Sequence, residues 1–166
     1  NFREVIEDVE TLNQMAQRAE LDITKVSYHA YGHLRDQYCL LRSGGALGKG
    51  CGPLVVAREK YGMENLKGKT VAIPGRLTTA FLLLQIFVPS LKENVKVMPF
   101  DKIIDSVKTG EVDSGLIIHE SRFTYKRSGL KQVLDLGQWW ENETGLPIPL
   151  GGILAKRHMG SNLIRR

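Results

Sequence analysis

Gly68-Lys69-Thr70-Val71-Ala72-Ile73-Pro74-Gly75-Arg76-Leu77-Thr78-Thr79-Ala80 runs from a short apolar strand, through a Pro-Gly turn, into a helix start. Gly68-Lys69 introduces the strand Thr70 to Ile73, and either Thr78 or Thr79 can cap a helix reaching about Val88. Working outward, Val95 to Met98 reads as the next strand. Phe100, Ile103, Ile104 and Val107 then mark a helix that stops at Gly110. Gly115 to Ile118 is another apolar run, ending at His119-Glu120, and Leu54 to Ala57 has the same character upstream. Strands alternating with helices in this way predict an α/β fold with mostly parallel sheets.

At the N-terminal side, Val9, Leu12, Met15, Ala16 and Ala19 recur at helical spacing with Glu10, Asn13, Gln14 and Arg18 between them. This predicts an amphipathic helix entered through Asp8, with the apolar set facing inward. Ile23 to Ser27 reads as a strand and Tyr28 to Tyr38 as a helix. Five glycines between Ser43 and Pro53 give a tight, adjustable backbone path.

Composition narrows the function classes. Of 166 residues, 42% are hydrophobic and 25% charged, which suits a folded domain rather than a disordered chain. The net charge of +5 fits an anionic ligand, but basic and acidic residues alternate, as in Arg58-Glu59-Lys60, so no stripe for nucleic acid forms. The longest apolar stretch, Ala80 to Val88, is too short to cross a membrane. Cys39 and Cys51 match no chelating pair, and the four histidines show no zinc-hydrolase spacing, so no metal site is expected.

Three places could carry chemistry. A helix opening at Thr78-Thr79-Ala80 offers free N–H groups and a positive dipole end for a carboxylate or phosphate, or is simply well capped. His119 lies beyond the C-terminal end of a buried strand, where open α/β sheets place ligands. It reads either as a base or as a hydrogen-bonded strand-end histidine. Arg122 can pair with a substrate carboxylate or with a nearby acid. Lys25-Val26-Ser27 ends another strand, where Ser27 can meet a ligand or cap the following helix.

Glu7-Asp8-Val9-Glu10-Thr11-Leu12-Asn13, Arg42 to Gly48, Gly52 to Ala57, and Gly115 through His119-Glu120-Ser121-Arg122-Phe123-Thr124-Tyr125 together resemble the 1,4-dihydroxy-6-naphthoate synthase family. Asp135-Leu136-Gly137, Trp139-Trp140 and Thr144-Gly145-Leu146-Pro147 extend the likeness. These are the lyases of menaquinone biosynthesis by the futalosine route, acting on cyclic dehypoxanthinyl futalosine.

The resemblance implies a type II periplasmic-binding-protein-like fold: two lobes around a ligand cleft, in a cytoplasmic enzyme. Residues 1–60 then belong to the first lobe, 61–147 to the second and 148–166 return toward the first. An N-terminal strand and a C-terminal helical region of the family are not in this chain. The family's proton acceptor falls on His119 and its substrate contacts on Lys25, Val26, Ser27, Thr79 and Ala80, with Thr78 and Arg122 as supporting candidates. The partner is a small anionic aromatic substrate, and the chemistry calls for no cofactor or metal. Composition identifies no homodimer interface and leaves that assembly open. The alternatives are a chorismate dehydratase, which shares the fold, and a noncatalytic solute-binding protein for a small anion.

Overall fold

The computed structural model describes residues 3–62, 66, 68–92 and 94–160. The chain forms two compact units and changes unit after Ala46, Arg76, Thr79 and Ile148.

The first unit begins with helix α1 (Val9–Gln17), capped as expected by Asp8, whose carboxylate accepts from the Glu10 and Thr11 amides. Burial would raise the Asp8 pKa, but hydrogen bonds from Thr11 and from the Glu10 amide outweigh it and hold the carboxyl below its ordinary value. Strand β1 (Ile23–Ser27), helix α2 (Tyr28–Leu34) and strand β2 (Tyr38–Leu40) follow. Strand β9 (Ile148–Lys156), from the far end of the chain, pairs antiparallel with β1 on one side and β2 on the other. Gly151 and Gly152 make this fit. A Cβ on Gly151 would stand 2.5 Å from the Val26 carbonyl, and one on Gly152 would stand 2.6 Å from the Leu40 side chain. Ala16, Val26, Ala30, Leu34, Tyr38 and Leu154 form the core.

Two expectations give way here. The helix from Tyr28 stops at Leu34, and Tyr38 instead opens β2, buried with its hydroxyl donating to the Leu21 carbonyl at 2.7 Å. The buried residues of α1 are Glu10, Asn13 and Ala16, so two polar residues occupy the inward face.

In the second unit, strands β4 (Leu54–Ala57), β5 (Val71–Ile73), β6 (Val95–Val97), β7 (Ser114–Ile117) and β8 (Lys131–Asp135) form a sheet in the order β6-β5-β7-β4-β8. The short strand β3 (Ala46–Gly48) precedes β4. Helices α3 (Thr79–Phe87), α4 (Ile103–Thr109), α5 (Ser121–Thr124) and α6 (Leu136–Thr144) connect the later strands. Ile103 and Val107 of α4 pack on Leu54, Val56, Ala72 and Ile117. Gly110 ends α4 at φ 85°, as its position predicts.

The sheets are mixed rather than mostly parallel. β5 runs parallel to β6 and β7, but β4 is antiparallel to both β7 and β8, and β9 is antiparallel to β1 and β2. Crossover helices set the direction of β5, β6 and β7.

The partition also differs from the expected one. Residues 47–60 belong to the second unit, because β4 is an interior strand of its sheet. Residues 77–79, expected in the second lobe, belong to the first unit, and Ile148 belongs with the second. Of the expected last segment, residues 161–166 lie outside the described residues.

Gly52 and Gly137 approach so closely that a Cβ on Gly52 would stand 2.3 Å from the Gly137 Cα. Neither backbone can rotate away as a side chain could. Gly52→Ala should therefore lower stability by about 1–3 kcal/mol. Gly32→Ala, inside α2 with nothing within 4 Å, should stabilise by roughly 0.5–1 kcal/mol. Urea unfolding of both variants checks the pair, and an unchanged midpoint for Gly52→Ala would contradict the close approach.

Candidate active site

In the second unit, β7 is buried along its whole length and delivers His119 two residues past its end, with the side chain exposed. His119 sits at φ 56°, in the left-handed region. Histidine adopts it more readily than β-branched residues, and such strain often marks functional positions. Its carbonyl accepts from the Arg122 amide at 3.3 Å, which turns the chain into α5. The Phe100 ring meets the imidazole edge to face, with centroids 5.2 Å apart. This imidazole is reachable and oriented by an aromatic neighbour.

Arg122 anchors the same segment. Its guanidinium donates to both oxygens of Asp135, at 2.7 and 3.1 Å, and to the Gly52 carbonyl at 2.7 Å. Both side chains are largely buried, at 16% and 11% exposure. Asp135 also caps α6 by accepting from the Gln138 amide at 2.9 Å. One ion pair therefore ties α5 to the chain before β4, to the end of β8 and to the start of α6. Of the two partners open to Arg122 in the sequence, the structure supplies the acid.

In the first unit, Lys25 is exposed, while Val26 and Ser27 are buried. Val26 packs its side chain into the core. The Ser27 hydroxyl caps α2 by accepting from the Ala30 amide at 2.9 Å and donates its own proton to the Leu77 carbonyl. Around it, the segment Leu77–Thr79 bonds to neighbours in its own unit. His29 Nδ1 lies 3.2 Å from the Thr78 carbonyl, and the Thr79 hydroxyl donates to the Leu150 carbonyl at 3.0 Å. The Leu77 backbone also favours the charged form of the Glu10 carboxyl. The structure thus brings Ser27, Thr78 and Thr79 together. Ala80, the next residue of α3, is the first of the second unit on this stretch. His119 and Arg122 belong to the second unit.

Sequence reading missed Glu10, Asn13 and His29. Glu10 and Asn13 stand three apart on one helix face, the only local signal they give. Among the described residues, no cluster of three or more His, Cys, Asp or Glu could hold a metal ion, and no helix is long and apolar enough to cross a membrane.

Burial holds the His29 pKa below its ordinary value of 6.5. The Thr78 hydrogen bond opposes this shift and the nearby His33 adds to it. The folded state therefore binds the His29 proton less readily than the unfolded chain does. This contribution to stability is complete above pH 6.5 and is lost as pH falls toward the folded value. Thermal melts across that range should show a slope that His29→Gln flattens, and an equal slope in the variant would remove His29 as its cause. Separately, Arg122→Ala should cost about 2–3 kcal/mol by leaving Asp135 without its cation. An unchanged unfolding midpoint would contradict the clamp.

Comparison with known proteins places this geometry. The chain is 57% identical to a 1,4-dihydroxy-6-naphthoate synthase from Thermus thermophilus over 161 residues, which cover 97% of this chain and 58% of that protein. A crystal structure of an Archaeoglobus fulgidus protein superposes with a TM-score of 0.86 at 46% identity, covering 97% of this chain and 59% of that one. An alkanesulfonate-binding protein from Xanthomonas axonopodis pv. citri superposes with a TM-score of 0.65 at 13% identity, covering 93% of this chain and 54% of that one. That last likeness concerns the fold alone, an α/β arrangement of the periplasmic-binding-protein kind with mixed sheets. The chain thus spans well under two thirds of each protein's length. The family model described as menaquinone biosynthesis matches residues 1–166, and the chain belongs to that family.

Proposed function

We propose that this chain is the larger part of a 1,4-dihydroxy-6-naphthoate synthase, a carbon–carbon lyase converting cyclic dehypoxanthinyl futalosine to 1,4-dihydroxy-6-naphthoate in the cytoplasm. The observation that carries the proposal is the 57% identity, across 97% of the chain, to a protein of that name. In this reading the two units are the lobes of a type II binding-protein-like fold.

His119 is the proton acceptor. A neutral imidazole offers an unshared pair at cellular pH, and the exposed, strand-end position lets a substrate reach it. Proton removal starts the elimination and ring formation that release the sugar-derived part. Phe100 limits the swing of the ring, and the Arg122–Asp135 pair holds the segment that carries it.

The opening of α3 is the anchor. Thr79 and Ala80 open α3, whose N-terminal turn favours a carboxylate. Lys25 adds an exposed positive charge midway along β1. Ser27 and Thr79 give their hydroxyl protons to carbonyls, and Ser27 also accepts the Ala30 amide, so their part is to set the backbone around the anion. Thr78 supports the same turn.

Full-length protein incubated with cyclic dehypoxanthinyl futalosine should yield the naphthoate by mass. His119→Asn is the sharper test variant, because asparagine also tolerates the left-handed backbone. It should keep its melting temperature and much of its substrate binding, and lose turnover by ~10² or more. Near-normal turnover by the folded variant would sink the assignment of His119. Conversion of chorismate instead would identify the dehydratase, and binding without conversion would identify a receptor.

A further inference from the structure

The run Glu7–Asn13 carries part of the family likeness, yet nothing above gives it a task. Its two inward residues are polar, with Asn13 fully buried and Glu10 at 9% exposure. A helix that served only to cover a core would turn Val9 and Leu12 inward instead.

Three hydrogen bonds and one electrostatic contact close a ring. Asn13 Nδ2 donates to Glu10 Oε2 at 3.2 Å, and Asn13 Oδ1 accepts from the Ser27 amide at 3.0 Å. The Ser27 hydroxyl donates to the Leu77 carbonyl, and the Leu77 backbone favours the charged form of the Glu10 carboxyl. Gln14 Nε2 adds a longer bond to Glu10 Oε1, at 3.4 Å. The ring thus joins α1 to the end of β1 and to the residue two before the start of α3. The links have a direction, because N–H groups only donate and a carboxylate only accepts. The ring therefore fixes the relative register of two backbone segments, which apolar packing alone would leave free to slide.

We propose that Glu10 and Asn13 are positioning residues that set substrate affinity by holding Ser27 and Leu77–Thr79 in one register. This rests on the reading of Ser27, Thr79 and Ala80 as substrate-binding positions. Burial holds the Glu10 carboxyl above its ordinary pKa, despite the hydrogen bonds from Asn13, Gln14 and Leu77 that pull it down. A buried carboxylate is a poor means of gaining stability, since apolar residues in such places are often neutral or stabilising. What it adds is orientation, and orientation is worth having beside a site that must receive an anion.

Polarity reversal tests the ring. Asn13→Asp puts two carboxylates face to face, and Glu10→Gln puts an amide N–H₂ opposite another. The double variant Glu10→Gln/Asn13→Asp restores one donor and one acceptor at that contact, and the new carboxylate still receives the Ser27 amide. In the full-length enzyme each single change should raise KM roughly tenfold, with kcat little altered, because His119 is untouched. Amide exchange at Ser27 and Leu77 should quicken in parallel. The double variant should recover both properties, since coupled residues depart from additivity.

Stability alone would show as a lowered melting temperature without this KM pattern. Wild-type turnover that His119→Asn abolishes secures the underlying reading. With that secured, wild-type KM in the folded single variants overturns the positioning role and leaves the lyase standing. A double variant no better than its singles overturns it equally. If the wild-type protein converts no substrate at all, the lyase reading falls and this proposal falls with it.

Discussion

Leu77, Thr78 and Thr79 form a three-residue visit to the first unit between two long stretches of the second, and side chains keep them there. Ordering three residues costs about 1–2 kcal/mol each in backbone entropy. The hydrogen bonds from Ser27, from His29 and to Leu150 return about 0.5–1.5 kcal/mol apiece. They offset much of that cost, and Leu77 adds its packing against the core of the first unit. The start of α3, and with it the proposed anion seat, depends on these contacts being made. His29 and Glu10 are both parts of the same arrangement.

The second unit meets a similar demand differently. A left-handed histidine costs roughly 1–3 kcal/mol and persists only where its surroundings insist on it. Here the insistence comes from Arg122, three residues on. Its charge-assisted bonds to Asp135 are worth about as much as the strain. Because Asp135 also caps α6, the end of β8, the opening of α6 and the histidine segment share one polar centre. Each unit thus spends buried polar groups at the place where its proposed site residues lie.

Most of the sheet could be read directly. Leu54–Ala57 is buried at every position, and its apolar run showed it. Gly110 and Asp8 ended and began helices where their chemistry says they should. The strand β8 gave no such signal, because Lys131 and Gln132 are exposed and its inner residues only half-buried. The polar run Gln138-Trp139-Trp140-Glu141-Asn142 concealed α6 in the same way. At the site, His119 was legible because a strand end is a local feature. The partner of Arg122 was not, since Asp135 comes into reach only through the pairing of β4 with β8. The inward face of α1 misled for a deeper reason. Hydrophobic periodicity assumes that burial means apolar contact, whereas Glu10 and Asn13 are buried by what they hold.

The place of β4 has a consequence for how this polypeptide comes into being. Its four apolar residues are made early, but both hydrogen-bonding neighbours, β7 and β8, come more than fifty residues later. On the ribosome the segment must wait with its backbone unpaired, a sticky template for other nascent chains. Such distant pairing also slows closure of the sheet after release. Arg58, directly behind the strand, places a charge beside this exposed stretch, the kind of flanking residue that keeps an apolar segment from associating while its partners are still being synthesised.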